Sequence, residues 1–472
     1  MHVDVTRLRR TSVVNLLRKW RSIKGTARHA IKGKVHADLP KEDLEYLRRR
    51  MVECVDGKGG EVSARARSAE LGSIYLQLNN NGRERFLKMM AREFKLESER
   101  VIPQLELFKN AKNESELLAA EHALREALNS PRLQILRQFN TLPDGFKFLV
   151  DMRADLLALR KKNTYLQGLE KDLKFVLRSL FDIGLLDMAE IDWNSPAALL
   201  EKLIQYEAVH EISSWNDLKN RLDSDRRCFA FFHNKMPDEP LIFIEVALVN
   251  GLADNVQTLL NEKSPVQDPE DADTAIFYSI NNTQKGLAGI SFGNFLIKWV
   301  VAELFSSLNN LKTFATLSPV PGFRKWLDSL LERGETTLFK ARDIQSINRF
   351  ISGDNAAHSL LKLLRSEWHT DEKACKALRE PLMGLAAHYL VNEKRGMRAL
   401  DPVTHFHLSN GASLERINWL GDTSSKGMRE SAGIMVNYLY RQSHIDDYHE
   451  AYALEGKINI SKQLKELLKK KE

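Results

Sequence analysis

Cysteine is scarce in this chain. The three present, Cys54, Cys228 and Cys375, are odd in number and far apart in 472 residues. Their spacing offers neither a disulfide framework nor a metal-binding pattern, so a reducing compartment is expected. No apolar run approaches the ~20 residues that a membrane-spanning helix needs. No glycine cluster ends in Gly-Lys-Ser/Thr, and no Gly-x-Gly-x-x-Gly opens a helix, which excludes a Walker loop and a dinucleotide fingerprint. Strand-forming patterns are missing from residues 36–185. What remains is ordinary globular composition, 43% hydrophobic and 28% charged. The length exceeds what one core usually serves, so two domains are expected.

Charge is unevenly placed. Ten of the Lys and Arg residues lie in 1–35 against one acid, Asp4, so this arm holds +9 of a net +7 and the rest of the chain is −2. The body is therefore not basic, and nucleic acid is not an expected partner. Val13, Leu16, Leu17, Trp20 and Ile23 recur at helical spacing, which predicts a basic amphipathic helix. Such an arm serves as an organelle address, binds an anionic surface, or docks on its own protein. A cytoplasmic location is expected, with a mitochondrial address as the other reading of the arm; the last residues, Lys469-Lys-Lys-Glu472, are not a peroxisomal Ser-Lys-Leu.

Three segments follow from the patterning: the arm 1–35, a helical domain 36–188 and a catalytic domain 189–472. Leu44, Leu47, Met51, Val52 and Val55 mark one helical face, and helical patterns continue through 83–96, 114–128, 130–140 and 146–184. Gly57-Lys-Gly-Gly60 and Asn79-Asn-Asn-Gly82 read as loops. Nothing in 36–185 carries site chemistry, so a packing role is expected, with homo-oligomerisation through this domain. Ser195-Pro196 then opens a helix over 196–208. Strands are predicted at Arg227–His233, Leu241–Leu248, Thr274–Ile280 and Thr313–Leu317, the first two joined across Asn234–Pro240. Residues 326–400 return to helical spacing.

Between the third and fourth of these strands lies Asn281-Asn-Thr-Gln-Lys-Gly-Leu-Ala-Gly-Ile-Ser-Phe-Gly293, followed at once by an apolar helix. Gly286, Gly289 and Gly293 allow close backbone approach and exposed N–H groups, and a helix start favours an anion such as a pyrophosphate. A glycine-rich turn with no ligand has the same pattern. The order strand, glycine loop, helix, strand resembles the coenzyme A loop of GNAT-fold acyltransferases. That resemblance makes Thr274–Ile280 the fourth strand of the sheet and Thr313–Leu317 the fifth, with the pantetheine arm between them.

Two stretches are more specific: Thr313-Phe-Ala-Thr-Leu-Ser-Pro-Val-Pro-Gly-Phe-Arg-Lys-Trp-Leu327, and His405-Phe-His-Leu-Ser-Asn-Gly-Ala412 with its continuation to Gly433-Ile-Met-Val-Asn-Tyr438. With Gln284-Lys-Gly-Leu287 and Phe295-Leu-Ile-Lys298, they resemble the malonyl-CoA decarboxylase family over about residues 190–445. The resemblance implies an α+β multidomain fold, an all-α N-terminal domain followed by a GNAT-like α/β acyl-CoA-binding domain. It implies conversion of malonyl-CoA to acetyl-CoA and CO2 without a metal or separate cofactor. By motif match it assigns Ser318 and His407 as the catalytic pair, and Ala288, Gly289, Ile290, Ser291, Phe292, Gly293 and Asn294 to the malonyl-CoA loop, with Tyr440 as a further site residue; Gly286 joins the CoA-binding candidates from the glycine pattern. Some members carry an acid where this chain has Ser291, so only a ligand hydrogen bond is expected of it.

The residue types suit the chemistry. Loss of CO2 leaves a thioester enolate that must be protonated on carbon. A hydroxyl, Ser318, can hold the departing carboxylate, and an imidazole titrating near neutrality, His407, can be the general acid. Taken alone, a Ser before Pro is a turn residue and a His near a strand a structural one. His405 would share a strand face with His407, so periodicity cannot separate them; the resemblance selects His407. His210, His233 and His388 have no partner that the sequence identifies, and Lys298 is expected in solvent or near a distant phosphate. Two other functions fit parts of the pattern: a GNAT-fold acyltransferase, from the loop, and a non-enzymatic helical scaffold, from the arm.

Overall fold

Helices fill the first part of the chain because apolar residues recur there every three or four positions. They are α1 (Lys41–Val55), α2 (Gly60–Gln77), α3 (Asn80–Glu93), α4 (Ser98–Lys109), α5 (Glu114–Ala127), α6 (Pro131–Asn140), α7 (Gly145–Leu159) and α8 (Leu166–Leu180). The computed structural model describes residues 20, 35–56, 60–160, 163–180, 183–290, 295–339, 343–345, 347 and 356–469. The expected helix over 146–184 is two helices, broken where Leu166 N bonds back to Asn163 O in a turn. Asn79–Gly82, expected as a loop, is a helix start: the Asn79 side chain caps α3 by accepting from Gly82 N.

An eight-stranded sheet follows. Strands β1 (Leu186–Ile191), β2 (Arg226–His233), β3 (Ile242–Val249) and β4 (Thr274–Asn282) form an antiparallel meander. β5 (Thr313–Thr316) pairs parallel with β4, from Thr274 opposite Thr313 to Phe277 opposite Thr316. The fourth and fifth positions expected for these strands are the observed ones. β1 had no clear sequence signal: only two of its six residues are buried. Past β5 the chain makes β6 (Ser318–Pro319), while β7 (Ser413–Asn418) and β8 (Met435–Leu439) close the far edge; β8 runs antiparallel to β5, β6 and β7.

Three helices matter for the site: α9 (Phe295–Ser307), α10 (Phe323–Glu332) and α11 (Pro402–Ser409). The helices of the first half and one face of the sheet share a continuous apolar core, from Leu47 and Phe148 through Leu173 to Phe277 and Tyr440. Trp20 lies in that core, fully buried, its indole donating to Pro143 O (2.8 Å) and its ring edge-on to Phe148. Of the arm's readings, docking on its own protein is the one this residue displays. No helix among the described residues is long and apolar enough to cross a membrane.

Candidate active site

Strand alternation builds one wall. With Leu439 opposite Ala315 and Val436 opposite Ser318, the residues Phe314, Thr316 and Ser318 share a sheet face with Val436, Tyr438 and Tyr440. Ala315, Leu317 and Met435 fill the apolar cluster behind the sheet. Pro319 and Pro321 stiffen the chain after Ser318, and Val320 N donates to Ser431 Oγ.

His407 comes from α11, a helix and not a strand. The sequence carried the signal: Asp401-Pro402 is an N-cap followed by Pro at the first helical position. The two histidines, two positions apart on a helix, therefore face different ways. His407 is buried with Ser318, its Nε2 3.1 Å from Ser318 Oγ and its Nδ1 2.8 Å from Tyr440 Oη. Its ring stacks on Tyr438 at 4.4 Å. His405 turns to Tyr452 Oη (2.9 Å) and is no part of this group. Ser318 Oγ also donates to Thr316 Oγ1 (2.9 Å), which in turn accepts from Tyr438 N. Thr316–Ser318–His407–Tyr440 is thus one buried hydrogen-bonded chain.

Burial without an adjacent anion drives the His407 pKa down to about 3, so the imidazole is neutral at physiological pH. The expectation of titration near neutrality is corrected accordingly. Burial likewise pushes Tyr440 well above the ordinary tyrosine value.

Asp401, missed by sequence reasoning, ties the segments that carry Ser318 and His407 together. Its Oδ1 accepts from Val403 N, Thr404 N and Thr404 Oγ1 at the start of α11, and its Oδ2 accepts from Gly322 N in the loop after Ser318. Thr404 Oγ1 also lies 2.7 Å from Tyr438 Oη.

The glycine loop leaves the carboxyl end of β4, and Ser318 follows the carboxyl end of β5. The strands are parallel, so loop and serine lie at the same end of the sheet. β4 runs on to Asn282 beside β3 alone, since its pairing with β5 ends at Phe277. This open edge can pair with an extended ligand arm.

The loop rests on the helical half. A Cβ on Gly286 would meet Val150 O of α7 at 1.8 Å, so this glycine is required by helix contact; a ligand-facing role was the expectation. Arg153 of α7 donates to Gly286 O (2.5 Å) and Ala288 O (2.9 Å) and is itself held by Glu170 of α8. Helices expected to carry no site chemistry therefore seat the loop. Gly289 has φ +71, a conformation that favours glycine, and is exposed with Ala288, while Ile290 is buried. Ser291, Phe292, Gly293 and Asn294 lie outside the described residues.

The remaining sequence candidates are structural. His233 Nε2 bonds Leu180 O, His388 pairs with Glu393, and Lys298 pairs with Asp446. His210 is held low, to about 4, by burial. No metal-sized group of His, Cys, Asp or Glu occurs among the described residues.

Comparison with known proteins bears on this geometry. Residues 184–472 match the family model described as malonyl-CoA decarboxylase C-terminal domain, and residues 94–181 match its N-terminal domain. The mitochondrial malonyl-CoA decarboxylase of Anser anser anser is 38% identical over 418 residues, 85% of this chain and 83% of its own. That of Mus musculus is 39% identical over 376 residues, 77% of this chain and 76% of its own. The crystal structure of malonyl-CoA decarboxylase from Rhodopseudomonas palustris superposes with a TM-score of 0.82 at 38% identity, covering 89% of this chain and 99% of that one. The Agrobacterium vitis structure gives 0.79, at 38% identity, 90% and 100%. The chain belongs to the malonyl-CoA decarboxylase family, whose members are carboxy-lyases.

Proposed function

We propose that this member of the family converts malonyl-CoA to acetyl-CoA and CO2 with its own side chains, the coenzyme being part of the substrate. The observation that carries the reading is the buried Ser318–His407–Tyr440 chain at the sheet end that also presents the glycine loop. The loop residues Ala288 to Asn294 receive the phosphates, and the pantetheine arm follows the open edge of β4.

Ser318 donates to the malonyl carboxylate and holds its C–C bond perpendicular to the thioester plane. The C–C electron pair moves into the thioester to give the enolate, CO2 departs, and C2 takes a proton from His407. That proton must be acquired, because burial keeps His407 neutral. The incoming carboxylate supplies the anion that stabilises an imidazolium, so substrate and proton enter together. When neutral CO2 leaves, the negative charge passes to the enolate, and protonation of C2 by the imidazolium neutralises both and returns the ring to its neutral form. The Tyr440 hydroxyl at Nδ1 accommodates both ring states.

Purified protein incubated with malonyl-CoA and no acceptor amine should release CO2 and acetyl-CoA continuously. Dependence on an added amine would favour the acyltransferase reading instead. Two further features belong to the proposal. A cytoplasmic or mitochondrial location fits this proposal. Self-association is assigned to the α4–α5 hairpin, where Ile102, Leu107, Leu117 and Leu118 are exposed.

A further inference from the structure

We propose that Lys174, on α8 of the helical half, is a ligand for the pyrophosphate of the acyl-CoA substrate; the inference rests on the decarboxylase reading above. Its amino group lies 3.4 Å from where a Cβ on Gly289 would stand, at the exposed tip of the glycine loop. Lys174 is half-buried, yet no carboxylate among the described residues pairs with it. Its charge is therefore left available to an anion that reaches the loop tip. Lys171 and Arg178 fall on the same face of α8, three and four positions away, and add positive potential.

The seat is rigid. Arg153 holds the carbonyls of Gly286 and Ala288, and Glu170, on the same helix as Lys174, holds Arg153. The loop and the ammonium are thereby kept in fixed register by one buried ion pair. The carbonyls of Gly286 and Ala288 point to Arg153, so oxygen lone pairs that would repel a phosphate are engaged away from it. With no side chain at Gly289, Lys174 Nζ stands close beside the loop backbone.

The test compares wild type with Lys174→Ala, Lys174→Gln and Lys174→Arg, each checked for an unchanged thermal transition. A charge-assisted bond to phosphate is worth roughly a ten-fold or greater change in affinity. Lys174→Ala and Lys174→Gln should raise KM for malonyl-CoA about ten-fold with kcat little altered, and weaken free CoA in a calorimetric titration equally. Lys174→Arg should recover most of the loss. With malonyl-pantetheine, which has no phosphate beyond the pantetheine, wild type and Lys174→Ala should have the same kcat/KM. With 3′-dephospho-malonyl-CoA the penalty should persist. Loss of the penalty there would move the contact to the 3′-phosphate and overturn the pyrophosphate assignment. Unchanged KM and CoA affinity in Lys174→Ala, with an active wild type, would overturn the inference. A wild type that releases no CO2 from malonyl-CoA would instead overturn the decarboxylase reading.

Discussion

Ser318 and His407 stand 89 residues apart in the chain and 3.1 Å apart in the fold. Their roles predict a specific pattern of loss. Ser318→Ala and His407→Asn should each lower turnover by roughly 10²- to 10⁴-fold, while CoA binding, assigned to the loop, persists. His405→Asn is the control and should do little, since its ring faces Tyr452. Single-turnover CO2 release beside a CoA titration decides it; near-normal turnover in His407→Asn would refute the assignment. The depressed pKa of His407 also has a consequence for stability. The folded value, about 3, lies below that of an unfolded histidine, about 6.5. Below 6.5 the unfolded chain binds a proton that the folded one does not, so stability is full above that pH and falls as pH drops toward 3. His407→Asn should therefore lose less thermal stability than wild type between pH 6.5 and pH 4, measured by calorimetry. An identical acid response would show that the ring is not buried neutral.

Among elements, α11 has the largest bearing on the chemistry. Its N-cap carboxylate, Asp401, fixes the helix that carries His407 and the loop that follows Ser318. Removing a cap of this kind costs about 0.5–2 kcal/mol. Asp401→Ala should lower the thermal midpoint and depress kcat by misplacing His407, with CoA affinity unchanged. Asp401→Asn keeps one acceptor oxygen and should be milder. A full loss of CoA affinity in Asp401→Ala would mean that Asp401 acts on the fold at large and not on the catalytic pair. The strand expectations fared well where alternation or a long apolar run was strong, as in β2 to β5. Periodicity left His405 and His407 unseparated, whereas the Asp-Pro cap six residues before His407 marks the helix α11 that turns them apart. Helical spacing likewise identified α7 and α8 but merged them, because a short turn interrupts the apolar stripe too little to show.

At the scale of the molecule, the helical half and the sheet share one core, and Trp20 is part of it. Trp20→Ala should cost about 3–5 kcal/mol, the usual range for an aromatic deleted from a packed core. By the same reasoning, deletion of residues 1–35 should weaken the fold, and hence activity near the melting transition, since it removes Trp20. Thermal melts of Trp20→Ala and of the deletion should fall together; an unchanged melt for both would place the indole outside the core in solution. Self-association through α4 and α5 predicts that Leu107→Glu with Leu118→Glu gives a smaller species in light scattering. An unchanged mass would send the interface elsewhere.

The linear sequence determined the family, the α+β class, the order of the principal strands and the glycine loop, and it singled out Ser318 and His407 as the candidate pair, because these are carried by contiguous motifs and by local periodicity. The tertiary structure decided which atoms meet. It set His407 apart from His405 by placing them on a helix, and made the imidazole neutral through burial that no motif encodes. It brought Asp401 to Gly322, Arg153 to the loop carbonyls and Lys174 to Gly289. These contacts join segments 79 to 135 residues apart, and separation of that length leaves no periodic trace. Only the packing of α7, braced by Glu170 of α8, against the turn Lys285–Leu287 shows that the helical half is part of the wall around the loop.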